Sequence, residues 1–473
     1  MHGPRTLPHN LEAERSVLGS VLLNERILGD VVALLQPDDF YVPAHRAIFS
    51  AMVDLSEEGQ PADVITLEDR LRKRDELNMV GGIEALSKLA DRYATSHNAL
   101  AHAKLVRQTA QLRSFATEAR ELSSKAMDEV EDVSAFLDDA QVRILEVSQH
   151  GERSEYQSSS QILGSVFASI KARLESSSTI TGVGTGYKQL DELTAGLQPQ
   201  DLIIIAARPS MGKTAFALNI AQRACIPRLR SAELPEEERS NLVPVLFFSL
   251  EMGPEQLIER ILCSEARVDY AGVRRGVLTE KGDINKLVYT AGRLGDAKLY
   301  IDSNTSPSVL EIRNVARRWR NDKSIFPDPS KPGMIVVDYL QLCRGARDRY
   351  ESRAQEITEI SRGLKTLARE VNCPVLALSQ LNRAVDARSD HRPMLSDLRE
   401  SGAIEQDADV IMFIYRGERY LTTEATDEER AKVEGRAELI LGKQRNGPIG
   451  TVHLNFIKRF TRFEDPAPDG MRP

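Results

Sequence analysis

One short segment constrains this chain more than any other: the apolar run Leu202–Ala206, which leads directly into a loop containing Gly-Lys-Thr. A buried strand that breaks into such a loop and then into a helix directs backbone N–H groups and a helix N-terminus at a phosphate chain. An apolar helical pattern begins just after Thr214, so the strand, the loop and the helix are all present in the sequence. The segment therefore predicts a nucleoside triphosphate site, with ATP as the ligand.

The candidate nucleotide-binding residues are those of the loop and the first helical turn: Ala207, Arg208, Pro209, Ser210, Met211, Gly212, Lys213, Thr214 and Ala215. Lys213 is expected to reach the β- and γ-phosphate oxygens, and the Thr214 hydroxyl to bind Mg²⁺. Ala207 stands where the general P-loop pattern has its first glycine, so the motif is not literal. The alternative is an ordinary strand, turn and helix with an incidental Gly-Lys-Thr.

Length and composition indicate a soluble protein of more than one domain. A chain of 473 residues is too long for a single hydrophobic core and predicts two or three domains. No apolar run approaches the length that crosses a bilayer and no export signal follows the N-terminus, so we expect no membrane association. The net charge of −8 does not favour nucleic-acid binding, although a small basic surface is enough for it.

Cysteine usage points to a reducing compartment. The four cysteines are widely spaced, each beside apolar residues: Cys225, Cys263, Cys343 and Cys373. This pattern is typical of reduced core thiols and not of a zinc site or a disulfide framework. We therefore expect a cytoplasmic protein.

Residues 1–150 have helical patterns throughout and predict an all-α domain. Asn10 is expected to cap the first helix, whose apolar residues Leu18, Val21 and Leu22 share one face. Two further apolar stripes, separated by a charged break, predict the arms of a helical hairpin: Leu112, Phe115, Ala116, Ala119 and Leu122, then Val133, Phe136, Leu137, Ala140 and Ile144. No cluster of side chains here suggests chemistry, so we interpret this half as a packing and partner-binding module.

Residues 151–182 are rich in serine and predict a linker with one amphipathic helix. The apolar residues of that helix lie on one side: Ile162, Leu163, Val166, Phe167, Ile170 and Leu174. A lone helix must bury such a stripe, either on its own domain or on a neighbouring subunit, and the sequence leaves both open. Residues 183–466 are expected to form a second domain, and residues 467–473 a flexible tail.

In the second domain, short apolar runs rich in β-forming residues alternate with helical patterns. The predicted strands are Leu202–Ala206, Val245–Ser249, Lys298–Ile301, Met334–Asp338, Val375–Ser379, Val410–Tyr415, Ala437–Leu441 and Thr451–Phe456. This alternation predicts a mostly parallel sheet covered by helices on both faces. Ligands of such sheets bind beyond the carboxyl ends of the strands, where we expect the functional motifs to lie.

Two carboxylates follow predicted strands directly. Asp338 ends an apolar run, which is the Walker B pattern for holding Mg²⁺, and an unpaired carboxylate buried there is costly without a cation. Glu251 follows the preceding strand and is placed to polarise the water that attacks the γ-phosphate. The alternative for Glu251 is a surface acid at the start of a helix.

A third strand-end side chain, Gln380, has two interpretations. It can hydrogen-bond the γ-phosphate and respond to its loss, or it can only cap a helix. The sequence does not separate these roles.

Two cations stand close together near the C-terminus, in the run Gly442–Pro448. Lys443 and Arg445 are two residues apart and would point the same way on an extended chain. Because Lys213 already serves the phosphates of its own subunit, the pair is expected to act on the nucleotide of a neighbouring subunit. The alternative is a charged hairpin turn.

Two loops are candidates for contact with a nucleic-acid backbone. The run Arg344–Tyr350 combines cations, glycine and an aromatic ring, and the run Asp397–Gly402 precedes a helix. Arginine side chains and backbone N–H groups suit a phosphate chain without reading its bases. Either loop alone is more often a solvated connection.

Taken together, these features resemble the DnaB-type hexameric replicative DNA helicases of bacteria. The resemblance spans nearly the whole chain and rests on motifs in a fixed order: Ala207–Thr214, Ser249–Met252, Val337–Leu342, Leu378–Arg383, Leu395–Gly402 and Lys443–Gly447. An alanine in place of the first P-loop glycine is itself usual in this family. The resemblance thus implies a RecA-like P-loop NTPase domain joined by the linker helix to the all-α domain.

The resemblance also implies function. A ring of six subunits would bind ATP and Mg²⁺ at its interfaces, translocate on single-stranded DNA and unwind the duplex at the replication fork. Glu251 corresponds to the catalytic carboxylate, Lys443 and Arg445 to a trans-acting pair, and Arg399, Glu400 and Gly402 to the loop that grips the DNA backbone. Primase, a helicase loader and a nucleoid-associated location are further implications.

The sequence alone leaves two other functions open. A recombinase that coats DNA as a filament shares the core fold but lacks the long helical half and its linker. A non-motor ATP switch would bind partners without hydrolysis stimulated by DNA. One departure from the family pattern, a charged insertion at residues 226–241, predicts an exposed loop without an assigned role.

Overall fold

The computed structural model describes residues 6–92, 98–128, 179–229, 242–278, 282–345, 350–398, 402–421 and 426–467, with single residues between 129 and 178. The chain divides into two compact units, residues 1–165 and 166–473. Most of the predicted linker, residues 230–241 of the predicted insertion and nearly all of the predicted tail lie outside the described residues. None of the described helices combines the length and apolarity that a membrane span requires.

The N-terminal unit is helical, as the sequence predicts. Its described helices are α1 (Leu11–Leu23), α2 (Leu28–Leu34), α3 (Pro43–Glu57), α4 (Val64–Lys73), α5 (Leu77–Val80), α6 (Gly82–Arg92) and α7 (Ala99–Met127). The predicted cap of α1 is confirmed, because the Asn10 side chain accepts a hydrogen bond from the Ala13 N–H at 3.0 Å. Leu18 and Val21 are fully buried in the core of this unit.

A buried carboxylate fastens α1 to the start of α3. Glu14 accepts hydrogen bonds from the backbone N–H of Tyr41 at 2.8 Å and from the Nδ1 atom of His45 at 2.7 Å. Burial opposes ionisation, but these hydrogen bonds outweigh it and hold the pKa of Glu14 below its ordinary value. The ionised Glu14 side chain therefore has a structural role within this unit.

The long helix α7 carries the first apolar stripe of the predicted hairpin. Leu122 is buried, whereas Leu112 and Phe115 are about half exposed, with relative accessibilities of 59% and 46%. The apolar residues of the second stripe are helical where the structure describes them. Arg143, in the same stretch, forms an ion pair of 2.8 Å with Glu118 of α7.

The second unit is built on a nine-stranded sheet of order β3-β2-β4-β5-β1-β6-β7-β8-β9. Its strands are β1 (Leu202–Ala207), β2 (Val245–Ser249), β3 (Leu299–Asp302), β4 (Met334–Asp338), β5 (Val375–Gln380), β6 (Val410–Tyr415), β7 (Arg436–Gln444), β8 (Gly450–Ile457) and β9 (Arg462–Glu464). The strands from β3 to β6 pair in parallel. The eight predicted strands therefore form, with boundaries shifted by a few residues at most.

Helices cover both faces of the parallel part, as predicted. The described helices of this unit are α8 (Lys188–Thr194), α9 (Lys213–Cys225), α10 (Pro254–Ala266), α11 (Tyr270–Arg274), α12 (Asp283–Gly295), α13 (Val309–Asn321), α14 (Arg353–Val371), α15 (Gly402–Asp407) and α16 (Asp427–Val433). Successive β1 residues alternate between the two hydrophobic layers, so that Ile203 packs with the α9 side and Ile204 with the α13 and α14 side. This two-sided burial explains why β1 is a continuous apolar run.

The last strands extend the sheet in the antiparallel sense. β7 pairs antiparallel with β6, β8 with β7, and β9 with β8. The strand β9 is too short for a sequence pattern to predict, but its Phe463 side chain is 1% exposed and packs beneath the P-loop region. The reversal of direction at β7 decides where the C-terminal cations lie.

Candidate functional site

The carboxyl ends of β1, β2, β4 and β5 surround a cavity of about 500 Å³. It is lined by most of the predicted nucleotide-binding residues, namely Arg208, Pro209, Ser210, Gly212, Lys213, Thr214 and Ala215, and by Glu251 and Gln380. The two remaining loop residues, Ala207 and Met211, are instead buried in the hydrophobic core. Chemistry predicted from separate stretches of the chain therefore meets in one cleft.

The loop from Arg208 to Gly212 has the backbone of a phosphate-binding turn. Ser210 and Gly212 both have positive φ angles, of 66° and 100°. A Cβ atom at Gly212 would lie 3.1 Å from the Phe463 ring, so both the conformation and the space favour glycine. Ala207 is the last residue of β1 and is extended, which explains why a glycine is not required there.

Lys213 begins α9 with its charge largely desolvated. Burial lowers the pKa of its ammonium group, while the nearby charges of Asp338 and Glu251 oppose that shift. The Nζ atom lies 4.9 Å from the centre of the Tyr339 ring. A phosphate at this position would supply the negative charge that the buried ammonium lacks.

Asp338 is 1% exposed at the end of β4. Burial raises its pKa to about 6, and the charge of Glu251 adds to the rise, whereas a hydrogen bond from Thr214 and the charge of Lys213 oppose it. Its Oδ1 atom has no hydrogen-bond partner among the described residues. An orphaned carboxylate oxygen beside a threonine hydroxyl matches the oxygen ligands that Mg²⁺ prefers.

Glu251 lies one strand away from Asp338. β2 and β4 pair with Ser249 opposite Asp338, and the Leu250 N–H donates to the Asp338 carbonyl at 2.9 Å. The Glu251 side chain is exposed to the cavity, and helix α10 begins only at Pro254. Glu251 is thus a carboxylate facing the cleft from a position before the helix.

Gln380 ends β5 directly opposite Ala207 of β1. The side chain of Gln341 secures this position, since its Oε1 accepts from the Gln380 N–H at 3.3 Å and its Nε2 donates to Ser379 Oγ at 2.9 Å. The next helical turn is capped by Asn382. The cap interpretation of Gln380 is therefore wrong, and its side chain lines the cavity.

The cavity is also lined by a group of residues that the sequence patterns did not indicate: Arg260, Tyr339, Arg416, Arg419, Phe456, Lys458 and Thr461. The Ser210 carbonyl of the P-loop accepts hydrogen bonds from Arg416 at 3.5 Å and from Arg419 at 3.2 Å. Arg416 is buried and pairs with Glu418. The rule that ligand groups follow buried parallel strands would have found the Arg416–Arg419 run after β6.

The C-terminal cations lie elsewhere, against the expectation that every motif occupies the carboxyl edge. Because β7 is antiparallel, its end faces the opposite edge, and Gln444 pairs with Val410 at the start of β6. β1 separates this position from the P-loop by about 20 Å, at about 3.3 Å for each of its six residues. Lys443 and Arg445 cannot reach the phosphate site of their own subunit.

The predicted DNA loop is only partly described. Arg399, Glu400 and most of the other candidate loop, Arg344–Tyr350, lie outside the described residues, whereas Gly402 is the first residue of α15. Asp397, the first residue of this candidate loop, is 2% exposed. Its carboxylate accepts from both terminal nitrogens of Arg388, at 2.7 and 2.6 Å.

Comparison with known proteins agrees with this architecture. The family model of the DnaB-like helicase C-terminal domain matches residues 182–465, and that of the DnaB-like helicase N-terminal domain matches residues 6–108. The chain belongs to the DnaB-like helicase family. This membership accounts for both the helical N-terminal unit and the RecA-like sheet of the second unit.

Individual relatives cover almost the full chain. It is 40% identical to the replicative DNA helicase DnaB of Geobacillus stearothermophilus over 459 residues, covering 97% of this chain and 95% of that protein. It is 42% identical to the replicative DNA helicase DnaB of Pasteurella multocida, covering 97% of this chain and 94% of that protein. A solved structure of a DnaB-like replicative helicase, described with its interactions with primase, superposes with a TM-score of 0.72 at 32% identity, covering 97% of this chain and all of that one. The DnaB-like fold therefore extends across both units.

Proposed function

We propose that this chain is the subunit of a homohexameric replicative DNA helicase, a ring that hydrolyses ATP to translocate on single-stranded DNA and unwind duplex DNA at the replication fork. The observation that supports the proposal is that the cleft around Lys213 and the residue Arg445 lie at opposite edges of one sheet. The cleft around Lys213 binds the nucleotide, and Arg445 lies at the far edge. In a ring, the far edge of one subunit faces the cleft of the next.

Within the cleft, each residue has a distinct task. The P-loop backbone and Lys213 bind the β- and γ-phosphates, and Thr214 and Asp338 hold Mg²⁺. When bound, Mg²⁺ neutralises the charge that develops on the phosphate oxygens during transfer. Glu251 orients and polarises the attacking water, and Gln380 senses the γ-phosphate.

Across the interface, the cations of the neighbouring subunit complete the site. Arg445 is 44% exposed at its side chain and offers guanidinium donors to a phosphate. Lys443 lies beside it and is assigned to the same trans-acting pair. Their role is to stabilise negative charge in the transition state, the task of an arginine finger.

Single-stranded DNA passes through the ring and contacts the loop of Arg399, Glu400 and Gly402 through its phosphates. The fold similarity to a helicase solved with its primase interactions supports primase as a partner of the helical N-terminal unit. A helicase loader is a further proposed partner.

The test is a pair of inactive variants that restore one another. Lys213→Ala subunits lack a working nucleotide cleft, and Arg445→Ala subunits lack the trans-acting arginine. Rings of either variant alone should hydrolyse little ATP, because each interface lacks one half-site. Mixed rings, verified by native mass, should recover DNA-stimulated hydrolysis at interfaces that join an intact cleft to an intact arginine.

Two results would contradict the proposal. No recovery in verified mixed rings would place Arg445 in a purely structural role. A filament on DNA, in place of a six-membered ring in negative stain, would identify the alternative recombinase architecture.

A further inference from the structure

A buried carboxylate, Asp409, organises the edge of the sheet opposite the P-loop. It lies just before β6 and is 4% exposed. Its Oδ2 atom accepts from the Leu202 N–H of β1 at 2.8 Å, and its own N–H donates to the Leu202 carbonyl at 2.9 Å. The ammonium group of Lys365, on α14, forms an ion pair with the same carboxylate. Asp409 is thus fixed from two neighbouring elements.

Asp409 also holds Arg445 at two points. The backbone N–H of Arg445 donates to the Asp409 carbonyl at 2.9 Å. The Arg445 Nη1 atom lies 3.4 Å from Oδ1, the carboxylate oxygen that Leu202 does not use. Both the chain position and the guanidinium direction of Arg445 therefore depend on Asp409.

The C-terminal end of α15 holds the two cations from the other side. The Lys443 ammonium donates to the backbone carbonyls of Glu405 at 2.5 Å and Ala408 at 2.7 Å. Arg445 Nη2 donates to the backbone carbonyl of Gln406 at 2.6 Å. Unpaired carbonyls at a helix end attract cations, so these contacts are favourable. They restrain two otherwise flexible side chains.

We propose that Asp409 is a positioning residue for Arg445: together with the carbonyls at the end of α15, it holds the guanidinium in the direction that presents it to the nucleotide of the neighbouring subunit. The inference rests on the proposed ring and its trans-acting arginine. Asp409 lies far from the cleft of its own subunit. The proposal gives it a role in ATP hydrolysis at the cleft of the adjoining subunit.

The physical reason is the flexibility of arginine. A free guanidinium must lose rotamer freedom before it can stabilise a transition state, whereas one held in advance has less to lose. Displacement of a catalytic group by about 1 Å can cost about a hundredfold in rate. Asp409 is the carboxylate in ion-pair contact with Arg445 within the described part of the chain.

Asp409→Asn tests the proposal with little change of shape. The amide oxygen still accepts from Leu202, but the negative charge that Arg445 faces is lost. We expect ring assembly and nucleotide affinity close to wild type and ATP hydrolysis lowered between about tenfold and about a hundredfold.

Asp201→Asn is the matched control. Asp201, Asp409 and Arg445 line one cavity at the edge of the sheet opposite the P-loop, but among the described residues the Asp201 side chain makes no hydrogen bond with Arg445. Burial and the charge of Asp409 raise the pKa of Asp201 to about 6 against the opposing charges of Lys365 and Arg445, so its replacement also removes a carboxylate from this cluster. Hydrolysis by this variant should stay within about twofold of wild type, the change expected of a carboxylate that makes neither a hydrogen bond nor an ion pair with Arg445.

The decisive measurement is complementation in mixed rings. Asp409→Asn subunits keep their cleft, so mixing with Lys213→Ala subunits, which keep a well-positioned Arg445, should restore hydrolysis as it does for Arg445→Ala. The double variant Asp409→Asn, Arg445→Ala should hydrolyse ATP no more slowly than Arg445→Ala alone, because both changes act through one group.

The outcomes separate the two proposals. One result is that Lys213→Ala subunits restore ATP hydrolysis when mixed with Arg445→Ala subunits but not when mixed with Asp409→Asn subunits. That result, or additive losses of hydrolysis in the double variant, would overturn the positioning role of Asp409 and leave the trans-acting role of Arg445 intact. Recovery with neither would overturn both. If Asp409→Asn rings fail to assemble, Asp409→Glu, which keeps the charge but moves it by one methylene, undergoes the same test with the same criteria.

Discussion

The ammonium group of Lys213 faces the ring of Tyr339 at 4.9 Å across the end of β4. Within the described part of the chain, no carboxylate lies within ion-pair distance of that ammonium, and burial lowers its pKa. The residue is therefore placed for a ligand and contributes little to the stability of the nucleotide-free protein.

Replacing Lys213 by alanine should abolish ATP hydrolysis without lowering the thermal midpoint of the nucleotide-free protein, because the partners of Lys213 are ligand phosphates. Lys458→Ala is the control, since Lys458 lines the same cavity but pairs with Glu418 at 3.1 Å. Hydrolysis rates and melting curves of both variants check this. Near-normal hydrolysis by Lys213→Ala would contradict the P-loop assignment.

The pH dependence of stability should reveal the desolvated Asp338. Its pKa is about 6 in the folded protein against an ordinary value of 3.8, so the folded state binds this proton more tightly than the unfolded state. The resulting stabilisation is present below about pH 4 and is lost as the pH rises through about 6.

Asp338→Asn removes this dependence, since an amide does not titrate in that range. The free energy of unfolding of the variant relative to wild type should therefore rise between pH 4 and pH 7, by on the order of 3 kcal/mol. Urea denaturation of the nucleotide-free proteins measures it. The pKa of Asp201 is also about 6. Because Asp201 is present in both proteins, the contribution of its titration cancels in the difference between the two free energies of unfolding. A constant difference across this range would argue against a desolvated Asp338.

Glu251→Gln should separate binding from turnover. Its side chain faces the cavity, and an amide cannot polarise water as a carboxylate does. We expect nucleotide affinity within about threefold of wild type and a loss of turnover between about a hundredfold and ten-thousandfold. Equilibrium binding of a fluorescent nucleotide, measured beside steady-state hydrolysis, distinguishes the two effects. Loss of binding would remove Glu251 from the catalytic role.

Arg419→Ala should weaken nucleotide binding more than turnover. Arg419 donates to the Ser210 carbonyl at 3.2 Å and so supports a P-loop residue with a positive φ of 66°. Loss of one such charged hydrogen bond corresponds to about 1.5 kcal/mol, or roughly a tenfold weaker affinity. Titrations with ATP and ADP should show equal weakening for both, because the loop contacts phosphates that both carry. A fall in turnover at saturating ATP with unchanged affinity would contradict this role.

Arg399→Ala should weaken binding of single-stranded DNA about equally for unrelated sequences. Affinity falls as salt rises, and loss of one phosphate contact should reduce the magnitude of this negative slope of log affinity against log salt by about 1. Basal hydrolysis should persist, and its stimulation by DNA should fall. Arg318→Ala, which removes an exposed arginine from α13, controls for the change in net charge. If the affinity for two unrelated oligonucleotides and its salt dependence are both unchanged, Arg399 does not contact DNA and forms only an ion pair at the protein surface.

Much of the nucleotide cleft could be predicted from the sequence because its parts follow a local rule. Successive parallel strands of a covered sheet end on the same edge, so polar residues after apolar runs meet there. Lys213, Asp338, Glu251 and Gln380 all obey this rule and line or border one cavity. The two-sided burial that made the strands visible as apolar runs also made their ends easy to locate.

The remaining features depend on contacts between distant parts of the chain. The antiparallel direction of β7, which sends Arg445 to the opposite edge, arises from pairing with β6 and leaves no signature in the local pattern. The contact of Arg419 with Ser210 joins residues more than two hundred positions apart, and Asp409 meets Leu202 across a similar separation. The sequence by itself therefore determined the family, the strands and the residues that form the candidate phosphate-binding cleft. Only the tertiary structure decided which edge each cation occupies and which buried partner holds it, because strand direction and long-range pairing are set by packing of the whole domain.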